Sequence, residues 1–171
     1  IIEILEEEST IKNPEKPVME VSDGSISFEN VSFSYKGDMN KLCLKDVNIK
    51  IKSGQTVGII GGTGSSKSTL VQLIPRLYDV TVGRIAVGGV DVRDYDIEVL
   101  RNSVAMVLQK NELFSGTIKE NLRWGCETAT DEEIAEACRL SQADEFIAKM
   151  PDGYDTYIER GGANVSGGQK Q

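Results

Sequence analysis

Gly61, Gly62, Thr63, Gly64, Ser65, Ser66, Lys67, Ser68 and Thr69 follow one another in the run TVGIIGGTGSSKSTL, Thr56 to Leu70. Together they form an anion-binding set. The glycines permit positive φ and bring bare backbone N–H groups close to an oxyanion. Lys67 carries a mobile ammonium that can reach the β- and γ-phosphates of a nucleotide, Ser68 offers a hydroxyl to Mg2+, and Thr69 can support the α-phosphate. The strict pattern G-x-x-x-x-G-K-[ST] has glycine before the lysine, and Ser66 stands there instead. Its Cβ and hydroxyl occupy space that glycine leaves for phosphate. The loop shifts and binds nucleotide more weakly, or the site is impaired, or the serine is an engineered substitution. A tight turn with a chance Lys-Ser-Thr is the competing reading. Strand, glycines, lysine, hydroxyl and helix in the required order argue against it.

A second set of exposed donors is Ser166, Gly167, Gly168 and Gln169 in VSGGQ, opening toward a helix. Alone it reads as a flexible tail. Behind a phosphate loop and a helical segment it becomes a second anion-facing element.

These residues need elements to position them. Thr56–Ile60 is a short apolar run of the kind a buried parallel strand shows, and Val104–Leu108 is another. The helix from Lys67 carries Leu70, Leu73 and Ile74 on one face and must stop or kink at Pro75. Upstream, Ile26 and Phe28 alternate, and so do Val31, Phe33 and Tyr35 after a slip at Glu29-Asn30. A matching slip at Lys45-Asp46 interrupts Leu44 to Ile51, so each strand should hold a bulge. The KGDMNK loop closes this pair, and Gly88-Gly89 turns a further strand over Gly83–Val90. Past Gln109, three capping-box spacings mark helix starts: Thr117 with Glu120, Thr130 with Glu133, and Ser141 with Asp144.

The bulk numbers set outer limits. The 171 residues suffice for a domain with its own core. A net charge of −8 argues against a general nucleic-acid binder. Cys43, Cys126 and Cys138 show neither zinc nor disulfide spacing, and the absence of histidine removes any imidazole base. Residues 1–22 read as an acidic linker, 23–108 as a β subdomain with the first half of a nucleotide-binding core, and 109–171 as a helical region.

Taken together, these motifs resemble the nucleotide-binding domain of an ATP-binding-cassette (ABC) transporter of exporter type. VSGGQ resembles the family signature LSGGQ, with Val165 a departure. VLQKNELFSGTIKENL, Val107–Leu122, resembles the exporter Q-loop segment, with Gln109 as its glutamine. Tyr35 matches the aromatic that stacks on adenine; an ordinary strand aromatic is the alternative. Glu159 and Arg160 match a loop that contacts transmembrane domains, and Ile1–Ser9 is similar to the tail of a final membrane helix.

The resemblance implies an α/β fold: a P-loop NTPase core with an incomplete parallel sheet, an antiparallel β subdomain and a helical subdomain. It implies ATP and Mg2+ as cofactors, the metal held by Ser68 and Gln109, with Gln109 also sensing the attacking water. It implies a head-to-tail partner domain, whose ATP would meet Ser166, Gly167, Gly168 and Gln169 in trans. It further implies transmembrane domains as partners, a place on the cytoplasmic face of a membrane, and no nucleic acid. The intact protein would be a transport-coupled ATPase. The family's catalytic glutamate and switch histidine are not matched here, so this stretch alone is expected to bind nucleotide without hydrolysing it. A degenerate, regulatory nucleotide-binding module is the alternative.

Overall fold

The computed structural model describes residues 9–171. The chain divides into two compact units, Ile1–Ala105 and Met106–Gln171. Ile1–Glu8, most of the expected helix tail, lie outside the described residues.

The first unit is built on strand β1 (Ile26–Phe33), which pairs antiparallel with β2 (Leu44–Ile51) on one edge and β3 (Val82–Val87) on the other. A short β4 (Val90–Asp91) follows β3 through the left-handed turn Gly88-Gly89, giving the order β2-β1-β3-β4. Both expected bulges are present. The register runs Phe28↔Ile49, Val31↔Val47 and Phe33↔Leu44, so each strand in turn inserts one extra residue. Asn30 and Asp46 take left-handed φ of 50° and 47°. Each displaced N–H is taken by the side chain opposite: Asn30 N–H donates to Asn48 Oδ1 at 2.9 Å, and Asp46 N–H to Ser32 Oγ at 3.0 Å.

Helix α1 (Lys67–Gln72) ends before Pro75 and contributes Leu70, with Leu73 just beyond it, to the core of Phe28, Val31, Phe33 and Ile85. Sequence patterning assigns no element to α2 (Ile97–Asn102), yet Asp96 caps it, its Oδ1 accepting from the N–H groups of Glu98 and Val99. Tyr95 is fully buried, and its hydroxyl donates to Val87 O at 2.8 Å. The acidic linker is not free chain where it is described. Val18 exchanges backbone hydrogen bonds with Asp94 and Asp96, and Asn13 bonds Asp96 and Ile97.

The expectation of parallel strands is overturned. Thr56–Ile60 and Val104–Leu108 form no strands, and the sheet of this unit is antiparallel. Ile60 is 99% exposed and Val107 72% exposed. A buried parallel strand needs ladder partners on its edges and cover on its faces. Among the described residues neither run has such a ladder partner.

The second unit packs around Ile118, Ile134, Cys138, Ile147 and Ile158. It contains β5 (Gly116–Thr117), α3 (Ile118–Arg123), α4 (Asp131–Leu140), α5 (Asp144–Ile147), β6 (Tyr157–Ile158) and α6 (Gly167–Lys170), with β5 and β6 antiparallel. Thr117 with Glu120 and Thr130 with Glu133 close as reciprocal capping boxes. The third expected box does not form. Ser141 instead terminates α4, its hydroxyl donating back to Cys138 O, and Ala143 stands at the start of α5. Gln142 between them turns left-handed, with φ of 59°. The chain therefore leaves one helix and enters the next too tightly for Ser141 to reach forward.

Two outcomes follow from this packing. A Cβ at Gly83, where φ is +84°, would lie 2.4 Å from the carbonyl oxygens of both Glu29 and Asn30. Gly83→Ala should therefore destabilise the chain by about 2 kcal/mol or more, read as a lowered urea midpoint. Burial raises the Cys138 thiol above its ordinary range, whereas Cys126 is exposed. Under native conditions an alkylating reagent should label Cys126 readily and Cys138 only on unfolding, as peptide mass mapping would show.

Candidate functional site

The glycine-rich loop delivers the chain from the exposed Ile60 into α1. Gly64 turns at φ of 82°, and Ser66, the helix N-cap residue, is left-handed at φ 60° and ψ 22°. This is the conformation that the missing glycine would adopt without cost. An L-residue there is strained by about 1–2 kcal/mol. The Ser66 side chain makes no capping hydrogen bond, so the N–H groups of the first turn of α1 remain for another acceptor.

Lys67 is folded back over this loop. Its ammonium donates to Gly61 O at 2.7 Å, Gly62 O at 2.8 Å and Ser65 Oγ at 3.2 Å. The Ser65 hydroxyl in turn donates to Gly62 O at 2.8 Å. A Cβ at Gly61 would come within 2.6 Å of Ser65 Oγ, so glycine at that position is what lets the loop close on itself. A recess of about 280 Å3 is lined by Gly64, Ser65, Ser66, Lys67, Ser68 and Thr69. Backbone donors, an ammonium and an exposed Ser68 hydroxyl around such a recess fit a phosphate group with its metal ion. Thr63 stands exposed at the tip of the loop.

Thr69 lines that recess and also reaches a neighbouring strand end. It is 7% exposed, and its hydroxyl lies 2.8 Å from the Tyr35 hydroxyl. Tyr35 is 55% exposed, and its ring packs nearly perpendicular to Phe33 and Tyr78. The structure thus joins Tyr35 and the phosphate loop within one unit, through a contact that no spacing in the sequence announces.

In the second unit, Gln109 is exposed on the segment leading to β5. The signature residues open α6 as a capping box. Ser166 Oγ accepts from Gln169 N–H, and Gln169 Oε1 accepts from Ser166 N–H. Gly167 and Gly168 are exposed beside them. Val165 packs on the hydrophobic core of this unit, so its departure from leucine keeps an apolar anchor behind the serine. Lys170 Nζ donates to Gly161 O at 2.7 Å, and Asn164 ties Tyr157 and Glu159 together. Sequence reasoning assigned a role to neither Lys170 nor Asn164.

A family profile described as ABC transporter matches residues 44–171. The chain belongs to the ABC transporter family. This ABC chain is 51% identical over 148 residues to the putative multidrug export ATP-binding/permease protein YgaD of Bacillus subtilis (strain 168), covering 86% of the chain and 25% of that protein. It is 44% identical over 173 residues to the putative multidrug export ATP-binding/permease protein SAOUHSC_02003 of Staphylococcus aureus (strain NCTC 8325 / PS 47), covering 100% of the chain and 30% of that protein. Its fold matches a bacterial Atm1-family ABC exporter with ATP bound, at a TM-score of 0.89 and 32% identity, over 99% of this chain and 29% of that one. The ABC chain thus has the α/β fold of an ABC NTPase domain and spans under a third of the length of these relatives. Among its described residues no helix is long and apolar enough to cross a membrane.

Relief of the strain at Ser66 is measurable. Ser66→Gly should stabilise the ABC chain by up to about 1 kcal/mol, the gain being partly offset by glycine's larger unfolded-state entropy. A urea midpoint that fell would count against it. Removing the signature cap with Ser166→Ala should cost about 1 kcal/mol locally, seen as roughly fivefold faster amide exchange at Gln169.

Proposed function

We propose that this chain is the ATP-binding part of an ABC exporter, and that ATP is held along the line from Tyr35 to Lys67. The observation that carries this reading is the hydroxyl contact between Tyr35 and Thr69, which sets an exposed aromatic ring beside an anion-binding loop on one unit. The adenine would stack on Tyr35. The phosphates would take the donors of Gly61, Gly62, Thr63, Gly64, Ser65 and Ser66, and the Lys67 ammonium would leave the Gly61 and Gly62 carbonyls for the β- and γ-phosphates. Exchanging neutral carbonyl acceptors for phosphate oxygens gives stronger, charge-assisted hydrogen bonds. Ser68 would offer its hydroxyl to Mg2+, which neutralises phosphate charge when bound.

The same reading assigns Ser166, Gly167, Gly168 and Gln169 to the ATP of a second, head-to-tail domain. The open face of the α6 capping box supports it, because the serine and both glycines stay exposed. The names of the relatives support transmembrane domains as partners and export as the task. On this reading the chain would sit on the cytoplasmic face of the membrane. Hydrolysis needs a positioned water and its carboxylate partner. We expect this chain alone to bind MgATP and to release phosphate no faster than background.

The left-handed Ser66 favours a second reading, a weakened and regulatory nucleotide site. One titration separates the two. A fluorescent ATP analogue with Mg2+ should bind this chain, and Lys67→Ala should weaken it at least about tenfold, since a charged donor to phosphate is lost. If Ser66→Gly leaves affinity unchanged, the loop is not weakened. A large gain supports the regulatory reading. No binding by the unaltered chain would sink both.

A further inference from the structure

Tyr78 is used by none of the chemistry above, yet its position is set with unusual care. Pro75 ends the helical stretch, and Arg76 follows in a left-handed conformation, with φ of 52°, while only 6% exposed. Its buried guanidinium donates to the Asp79 carboxylate at 2.8 and 3.3 Å and to Arg93 O at 3.3 Å. Arg101 donates to Pro75 O at 3.3 Å and Arg76 O at 3.0 Å. A buried cation is costly unless paired, and breaking such a pair is strongly unfavourable. Two guanidinium groups therefore pin the turn that carries Tyr78.

That turn delivers the Tyr78 ring to Tyr35. The centroids lie 5.1 Å apart at 89°, and Phe33 completes the corner at 4.9 Å from Tyr35 and 5.7 Å from Tyr78. Phe33 is buried, but Tyr78 is 41% exposed, so filling the core does not account for it. A recess of about 840 Å3 opens beside the corner, lined in part by Tyr35, Leu77, Tyr78 and Asp79. The Tyr35 hydroxyl is in turn tied to Thr69.

We propose that Tyr78 is a positioning residue for the base end of the nucleotide site. It holds the Tyr35 ring edge-on while the Thr69 hydroxyl fixes that ring's distance from the phosphate loop. The proposal rests on the ATP reading given under Proposed function. A tyrosine at a strand end otherwise swings about χ1, and a stacked purine would have to immobilise it. The pinned corner removes that cost before the ligand arrives. The effect belongs to the base end, because the ring contacts of Tyr78 are with Phe33 and Tyr35.

The test compares binding of MgATP and of inorganic tripolyphosphate with Mg2+ to the full chain, by calorimetry. Tyr78→Leu should weaken MgATP about two- to tenfold, the worth of an aromatic pair, with tripolyphosphate unchanged within about twofold. Tyr78→Phe keeps the ring and should restore ATP binding. Tyr35→Phe keeps the stacking face but breaks the tie to Thr69. It should lose about two- to threefold for ATP alone, and it guards against a Tyr78→Leu chain that does not fold. Equal losses for both ligands would reduce Tyr78 to a structural role and overturn the proposal. So would a Tyr78→Leu chain that keeps the full preference for ATP over tripolyphosphate. If the unaltered chain bound neither ligand, or bound ATP no more tightly than tripolyphosphate, the failure would lie in the ATP reading itself.

Discussion

The bulge at Asn30 is the constraint on which the first unit depends. A β-strand alternates its faces, so Phe28 and Val31 could not both point into one core without an inserted residue. The bulge resets the parity, and Phe28, Val31 and Phe33 are all buried. Two things make it possible. Asn48 accepts the N–H that leaves the ladder, and Gly83 on the opposite strand presses a bare Cα against the carbonyls of the bulge. The second bulge, at Asp46, restores the match between β1 and β2. Strand β1 then hands Phe33 to the core and, just past its end, Tyr35 to the surface.

A similar division between strain and support is found in the phosphate loop. Gly64 and Ser66 both take positive φ, but only the glycine does so at no steric cost. The strain at Ser66 is tolerated because its neighbours are held: Lys67 bridges three oxygen atoms of the loop, and Thr69 and Leu70 are buried behind it. The loop is thus closed over its own lysine. An incoming phosphate would compete with these carbonyls for that ammonium.

In the second unit, local chemistry dominates. Three capping boxes, at Thr117, Thr130 and Ser166, each satisfy two backbone donors without help from distant residues. The third of these turns the signature residues into a rigid opening, with Val165 anchored in the core and the glycines outside. Lys119 and Arg123 both reach Asp131 and tie the first turn of α4 to α3. The Lys119 hydrogen bond holds the Asp131 carboxyl below its usual range.

Much of what depends on neighbours in the chain was legible from residues alone, although the local Asp96 cap of α2 was missed. The two bulges show as slips in a period-two pattern, the Gly88-Gly89 turn as paired glycines, and two helix starts as reciprocal caps. The glycine-rich turn into α1 and the serine that opens α6 were readable for the same reason, because a helix opening needs only a short run of the right residues. Ser141 was misread because a capping spacing does not reveal that a preceding helix already claims the serine. Thr56–Ile60 and Val104–Leu108 were misread because an apolar run becomes a strand only when another strand lies beside it. The tie from Tyr35 to Thr69 crosses 34 residues, and the corner that places Tyr78 draws on Pro75, Arg76, Arg93 and Arg101. Contacts of that kind have no period and no spacing. They exist because the packed core brings strand end, helix and turn to one place.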